Sequence, residues 1–212
     1  MAYLAIVRHG QSVWNLENRF TGEVDVDLSP HGEDEARQAG QLLKPYPVDC
    51  AFTSVLKRAI RTLEIIEQQT GQTTLPVTKS AALNERNYGD LQGLNKDDVA
   101  KQYGVKQLDE WRRSYAAVPP HGESLEHTHA RVVPYYQAEI EPKLKAGQNT
   151  LIVAHGNSLR SLMMYLETIS PKDIAKTELA TGVPRLYIFD KDMKLEKATY
   201  LSAGIKNEVI GS

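Results

Sequence analysis

Short apolar runs alternate along the chain with longer stretches in which apolar side chains recur at helical spacing. The short runs predict β-strands, and the first of them, residues 3–7, is apolar throughout, as strands buried in parallel sheets tend to be. The other predicted strands are 50–53, 75–79, 149–154, 186–189 and 195–200. This alternation predicts an α/β fold: a three-layer α/β/α sandwich with a mostly parallel central sheet and helices on both faces.

The helical stretches begin at residues that commonly start helices. Ser29 followed by Pro30 is typical of a helix N-cap and a first helical position. Ser54 is predicted to cap the helix that follows the second strand. Two further helices are predicted, over 124–145 with a kink at Pro134 and over 159–166.

The stretch 82–120 departs from the alternation because it is polar, aromatic and rich in Arg, Lys and Tyr. One short helix is predicted within it, after Asn95 and ending near Gly104. We interpret this stretch as an inserted cap that covers the C-terminal edge of the strands rather than as a second core. The whole chain, 1–212, is therefore predicted to form a single domain, with a mobile tail at about 202–212.

Composition narrows the class of protein. The chain has 212 residues and a formal net charge of −2, which gives no reason to expect nucleic acid or a membrane as a partner. No apolar run approaches the roughly 18 residues that span a bilayer, and the apolar stretch at the N-terminus is too short for a signal-peptide core. The single cysteine, Cys50, excludes an intramolecular disulfide and favours a reducing compartment, so a cytoplasmic location is expected.

Two predicted strands are followed by the same sequence pattern, His-Gly, then an amide-bearing residue, then Ser. One runs into Arg8-His9-Gly10-Gln11-Ser12 and the other into His155-Gly156-Asn157-Ser158. Because parallel strands deliver their carboxyl ends to one edge of a sheet, the two imidazoles are predicted to meet there beside Arg8. Arg58 lies in the first turn of the helix after another strand and is predicted to point to the same edge.

This arrangement favours chemistry on an anionic group. A histidine nucleophile must be neutral, and Arg8 and Arg58 should lower the pKa of His9. The same cations would stabilise a phosphoryl group in transfer, and the backbone amides of Gly10 and Gly156 are candidate phosphate donors. No metal-binding motif occurs in the sequence, so no metal is expected.

Motifs along nearly the whole chain resemble the cofactor-dependent phosphoglycerate mutases of the histidine phosphatase superfamily. Arg8-His9-Gly10 alone indicates only the superfamily, whereas Glu85–Gly89, Leu91–Lys96 and Trp111–Arg113 are more specific to the mutases. The remaining matching segments are Gln11–Asn15, Phe20–Gly22, Asp25–Ser29, Thr53–Ala59, Leu83–Asn84, Ser114–Tyr115, Pro119–Pro120 and Ala154–Arg160.

The resemblance implies particular roles. His9 would become phosphorylated, Glu85 would act as general acid and base, and His155 would stabilise the transferring phosphoryl group together with Arg8 and Arg58. The substrate-binding residues would be Gly10, Gln11, Ser12, Asn15, Thr21, Gly22, Arg86, Asn87, Tyr88, Lys96, Arg112, Arg113, Gly156 and Asn157. The implied activity is the glycolytic and gluconeogenic interconversion of 3-phosphoglycerate and 2-phosphoglycerate, with 2,3-bisphosphoglycerate as the primer of the phosphohistidine.

Two departures from the family pattern bear on these expectations. Glu23 stands where the family usually has tryptophan, which is predicted to alter the packing of the following loop or to weaken the attraction of anionic substrates. The chain also lacks a segment that the family usually has between Pro120 and Gly122. Because longer relatives use such regions to form oligomers, a monomer or dimer is favoured over a tetramer.

Two other functions remain open at this point. A histidine phosphatase acting on small phosphoesters or bisphosphoglycerate would share the first step and then release phosphate to water. A non-catalytic phosphoprotein-binding module could dispense with His9 or Glu85, and both are present.

Overall fold

The computed structural model describes residues 2–202. Its strands are β1 (Tyr3–Arg8), β2 (Cys50–Thr53), β3 (Val77–Lys79), β4 (Thr150–Ala154), β5 (Arg185–Phe189) and β6 (Leu195–Tyr200). Its α-helices are α1 (Val13–Leu16), α2 (Pro30–Leu43), α3 (Lys57–Thr70), α4 (Lys96–Tyr103), α5 (Val105–Arg113), α6 (Leu125–Tyr135), α7 (Glu141–Lys145) and α8 (Gly156–Glu167). All six predicted strands are present.

The strands form one sheet in the order β3-β2-β4-β1-β5-β6. Strands β1 to β4 pair in parallel, whereas β5 runs antiparallel to β1 and β6 antiparallel to β5. Helices cover both faces, so the predicted three-layer α/β/α sandwich with a mostly parallel sheet is confirmed.

The alternation of side chains along β1 divides the core between the two faces. Leu4 and Ile6 pack into the cluster that includes residues of α6 and α8, while Ala5 and Val7 pack into the cluster that includes residues of α2 and α3. All four side chains are fully buried, which is why these four consecutive positions are apolar.

Two local details differ from the sequence-based expectations. Ser54 does not cap α3, which begins one turn later without a side-chain cap. The long helix predicted over 124–145 is divided by a π-helical turn at Tyr136–Ile140. Pro142 follows that turn and lacks a backbone N–H group, so the regular hydrogen-bond ladder cannot continue through it.

The stretch 82–120 contains two helices, α4 and α5, where one was predicted. Against the expectation of a cover without its own core, its residues Leu91, Val99, Leu108 and Trp111 form a small hydrophobic cluster together with Phe20 from outside the cap. Gly104 separates the two helices and has a φ of 88°, a conformation that favours glycine. We keep the name cap for residues 82–120.

The predicted mobile tail falls almost entirely on 203–212, outside the described residues. Across 2–202, none of the helices is both long and apolar enough to traverse a bilayer.

Candidate active site

The two histidines lie side by side because β1 and β4 are adjacent and parallel. Arg8 is in register with Ala154, and the backbone N–H of His9 donates to the carbonyl oxygen of Ala154 at 3.0 Å. The imidazole centroids are 4.9 Å apart. The prediction that the two imidazoles meet at the C-terminal edge of the sheet is therefore confirmed.

The hydrogen bonds of His9 define which ring nitrogen is free. Nδ1 lies 2.7 Å from the carbonyl oxygen of Gly10, so it carries the proton and donates. Nε2 faces the Nε–H group of Arg58 at 3.4 Å and keeps its lone pair. Burial, followed by the charges of Arg58 and Arg8, holds the pKa of His9 well below its usual range. The ring is therefore neutral and nucleophilic at Nε2.

His155 is fully buried behind this centre. Its Nε2 lies 2.7 Å from the hydroxyl oxygen of Ser54. Ser54 therefore contacts His155 and does not cap α3. Burial and the neighbouring charge of Arg58 lower the pKa of His155 well below its ordinary value. Within the described residues its Nδ1 has no hydrogen-bond partner.

Both arginines are fixed by backbone carbonyl groups rather than by carboxylates. Arg58 donates to the carbonyl oxygens of Gly22 at 2.7 Å and Val24 at 2.9 Å, and burial lowers its pKa to about 10. Arg8 donates through Nη1 to the carbonyl oxygen of Leu179 at 2.9 Å. Among the described residues, the carboxylates of Glu85 and Asp25 act on Arg58 only through their charge, without a hydrogen bond to it.

Glu85 comes from the cap and is held at the N-terminus of α8. Its Oε1 accepts from the backbone N–H groups of Arg86 at 2.7 Å and Asn157 at 3.1 Å. The side-chain amide of Asn157 donates to the hydroxyl group of Tyr88 at 3.2 Å. A carboxylate beside neutral imidazoles can exchange a proton with a bound hydroxyl group.

These residues open onto a cavity of about 700 Å³. Among the described residues that line it, seven are cationic and only Glu85 and Glu178 are acidic. The sequence-predicted residues that line it are Arg8, His9, Asn15, Thr21, Gly22, Arg58, Glu85, Tyr88, Lys96, Arg112, Arg113, Gly156 and Asn157. Such an excess of positive charge suits a small polyanion.

The cap supplies a second group of cations. Lys96 begins α4, and Arg112 and Arg113 end α5. Burial, together with the charges of Arg112 and Arg8, lowers the pKa of Lys96 to about 8. Arg113 pairs with Glu178 across the cavity, and this contact lowers the pKa of Glu178.

Six predicted site residues do not line the cavity. Besides His155, they are Gly10, Gln11, Ser12, Arg86 and Asn87. The amide of Gly10 is already bonded to the hydroxyl oxygen of Thr62 at 3.1 Å, and the amide of Gln11 to Glu35 at 2.7 Å, so neither is free as a phosphate donor. Arg86 lies beneath Tyr88, its guanidinium 4.6 Å from the ring centroid.

Glu23 also stays outside the cavity lining. Its two carboxylate oxygens accept from the side-chain amides of Asn84 at 3.1 Å and Asn87 at 3.0 Å. Glu23 therefore connects this loop to the cap through two side-chain hydrogen bonds.

Sequence reasoning missed several lining residues. Arg160 is buried on α8 and donates to the side-chain oxygen of Asn157 at 3.0 Å; its place one turn after Gly156 was the available signal. Arg19 and Phe20 directly precede the predicted Thr21. The segment 177–183 carries no residue pattern that indicates a site, and the sheet topology alone brings it across the cavity.

No group of three or more His, Cys, Asp and Glu side chains among residues 2–202 could hold a metal ion. The expectation that the reaction needs no metal remains a prediction.

Comparison with known proteins agrees with this geometry. The model of the histidine phosphatase superfamily (branch 1) matches residues 4–197. The chain is similar to the 2,3-bisphosphoglycerate-dependent phosphoglycerate mutase of Cytophaga hutchinsonii, 64% identical over 95% of this chain and 94% of the relative. It is 54% identical to the protein of the same name from Afipia carboxidovorans, over 94% of this chain and 97% of the relative.

Solved structures share the fold at lower identity. A mycobacterial glucosyl-3-phosphoglycerate phosphatase matches with a TM-score of 0.80 and 23% identity, over 94% of this chain and 97% of that one. The Bacillus stearothermophilus protein YhfR matches with a TM-score of 0.81 and 24% identity, over 92% of this chain and 95% of that one. The sequence matches confirm the family resemblance that the motifs indicated.

Proposed function

The chain belongs to branch 1 of the histidine phosphatase superfamily, and we propose that it is a 2,3-bisphosphoglycerate-dependent phosphoglycerate mutase. It would interconvert 3-phosphoglycerate and 2-phosphoglycerate through a phosphohistidine enzyme and a 2,3-bisphosphoglycerate intermediate. Curated relatives of that name, aligned over more than nine-tenths of the chain, support the proposal.

One observation carries the mechanism: the free Nε2 of a neutral, buried His9 faces Arg58 inside a cationic cavity. The Nε2 lone pair forms a bond to phosphorus while the bond from phosphorus to the substrate oxygen breaks. Glu85 gives a proton to that oxygen, and in the return step it takes a proton from the hydroxyl group that attacks the phosphohistidine. Arg8, Arg58 and His155 stabilise the negative charge on the equatorial oxygens.

The residues present fit the bisphosphate cofactor. Buried polar atoms without partners among the described residues include Nε of Arg8, Oγ1 of Thr21 and Nε of Arg160, all on residues that line the cavity. When bound, the cofactor supplies the phosphoryl group that charges His9. Arg8 and Arg58 would hold the phosphate next to His9.

The cap would hold the remaining anionic groups of the substrate. A guanidinium group can donate to two oxygens of a carboxylate or phosphate at once, so Arg112 and Arg113 are suited to bind these groups. Lys96 adds a further positive charge. The other proposed direct contacts are Asn15, Thr21, Gly22, Tyr88, Gly156 and Asn157. Gly10, Gln11, Ser12, Arg86 and Asn87 would support these contacts from behind.

A metal-free assay tests the proposal. The protein is incubated with 3-phosphoglycerate and excess EDTA, with and without catalytic 2,3-bisphosphoglycerate, and 2-phosphoglycerate and free phosphate are followed together. We expect isomerisation that depends on the bisphosphate and resists EDTA. Free phosphate without 2-phosphoglycerate would instead establish a histidine phosphatase, in which water reaches the phosphohistidine.

The proposal also includes a cellular location and an oligomeric state. We place it in the cytoplasm, where phosphoglycerates are the expected small-molecule partners. We propose a monomer or dimer, and sedimentation of the purified protein at several concentrations distinguishes these from a tetramer.

A further inference from the structure

We propose that Arg131, on α6, is a positioning residue that holds the backbone around Glu85 and thereby places its carboxylate in the cavity. Arg131 does not line the cavity. The inference rests on the proposed function, because it assigns to Arg131 a part in the proton transfer that Glu85 performs.

Glu85 depends on its backbone for its position. The carboxylate accepts from the N–H group of Arg86, the next residue, so a shift of this segment moves the acid–base group directly. Glu85 lies outside any helix or strand, shortly after a single 3-10 turn at Ala81–Leu83. The carbonyl groups around Glu85 therefore need partners from elsewhere in the fold.

Arg131 provides those partners. Its Nη1 donates to the carbonyl oxygens of Ala82 at 2.9 Å and Asn84 at 3.1 Å, and its Nη2 donates to that of Glu85 at 3.0 Å. Its remaining N–H groups donate to the two carboxylate oxygens of Glu123, from Nε at 3.2 Å and from Nη2 at 3.0 Å. All five N–H groups of the guanidinium are used, which no lysine could reproduce.

Glu123 holds the segment that carries Glu85 through two further hydrogen bonds, both to the backbone of Asn87. Its Oε2 accepts from the backbone N–H of Asn87 at 3.0 Å, and its own backbone N–H donates to the carbonyl oxygen of Asn87 at 2.7 Å. The pair of Arg131 and Glu123 thus fixes the chain on both sides of Glu85. About three-quarters of each side chain is buried, so the ion pair is protected from solvent exchange.

The test is a double-mutant cycle between Arg131→Lys and Glu85→Gln, read as kcat and KM for 3-phosphoglycerate. We expect Arg131→Lys to lower kcat by about 100-fold, since a displacement of about 1 Å can cost that much in rate. KM should change by less than about twofold, because Arg112, Arg113 and Lys96 are untouched. In the Glu85→Gln background the same substitution should cost less than about threefold, because the group it positions is already lost.

Arg185→Lys is the matched control. Arg185 makes a similar paired contact with Glu167, from Nε at 3.1 Å and from Nη2 at 2.7 Å, and it does not line the cavity. It should lower stability by a comparable amount and leave kcat within about twofold of wild type. The inference is overturned if Arg131→Lys lowers kcat by the same factor in the wild-type and the Glu85→Gln backgrounds. It is also overturned if Arg185→Lys lowers kcat as much as Arg131→Lys does.

Two measures keep the outcome decisive. If Arg131→Lys does not fold by circular dichroism, Glu123→Gln replaces it in the cycle, with an expected loss in kcat of about tenfold. If the wild-type protein releases phosphate instead of isomerising, the proposed function fails, and the same cycle is run on phosphate release, where Glu85 must still protonate the leaving oxygen.

Discussion

The Nε–H group of Arg58 faces Nε2 of His9 at 3.4 Å, so a permanent cation is directed at the lone pair of the nucleophile. An imidazolium could not accept from this group and would repel it. The other guanidinium nitrogens of Arg58 are bonded to carbonyl oxygens, so the cation cannot turn away. The fold thus keeps His9 neutral before any substrate arrives, and the same cation then faces the incoming phosphoryl oxygens.

Replacement of His9 by alanine should abolish phosphoenzyme formation and lower turnover by at least about 10⁴-fold, because the nucleophile is lost. Incubation with labelled 2,3-bisphosphoglycerate, followed by measurement of acid-labile protein-bound phosphate, checks this. His121→Ala is the control, since His121 is exposed, pairs with Asp90 and does not line the cavity. Wild-type turnover in His9→Ala would remove His9 from the mechanism.

The two buried histidines should make the protein less stable in mild acid. Their folded-state pKa values lie well below 6.5, so below pH 6.5 the unfolded chain binds protons that the folded protein does not. The free energy of unfolding should fall by ~1.4 kcal/mol per pH unit for each imidazole as the pH drops below 6.5. Urea unfolding between pH 5 and 7 measures the slope, and His9→Asn should reduce it by about half.

Substrate binding should weaken as the pH rises through about 8, the pKa of Lys96 in the folded protein. Above that value the lysine loses the charge that attracts the substrate anion. KM measured from pH 7 to 9.5 should therefore rise in the wild type and stay nearly flat in Lys96→Arg, whose guanidinium remains charged. A parallel rise in both proteins would assign the titration to another group.

Removal of the Glu23 carboxylate should not improve substrate binding, because this group bonds to Asn84 and Asn87 and does not line the cavity. Glu23→Ala should lower stability by about 1 kcal/mol through the lost hydrogen bonds and leave KM within about twofold of wild type. Asp27→Asn removes a charge from an exposed position of the same loop and serves as the control. A several-fold fall in KM for Glu23→Ala alone would show that its charge opposes the substrate.

The sequence predicted those parts of the site that depend on strand ends. His9 and His155 follow apolar strands, and sheet geometry alone brings such positions together. Arg58 was found in the same way, from its place in the first turn of a helix after β2.

Parts of the site built by long-range loop packing could not be predicted in this way. The carbonyl oxygen of Leu179 reaches Arg8 because of the path of the chain before β5, and no residue pattern there indicates it. Gly10 and Gln11 match the family motif, yet hydrogen bonds to Thr62 and Glu35 occupy their amides. The second cap helix escaped prediction because it starts directly after Gly104 without a capping side chain.

The hydrogen bond between His9 and Ala154 has a consequence for how the protein is made. β1 leaves the ribosome on the order of ten seconds before β4, at ordinary rates of synthesis. During that interval the nascent chain carries its nucleophile without the neighbouring strand, and the imidazole of His9 lies in water with an ordinary affinity for protons. The two imidazoles can therefore come together only after β4, in the last third of the chain, has been translated.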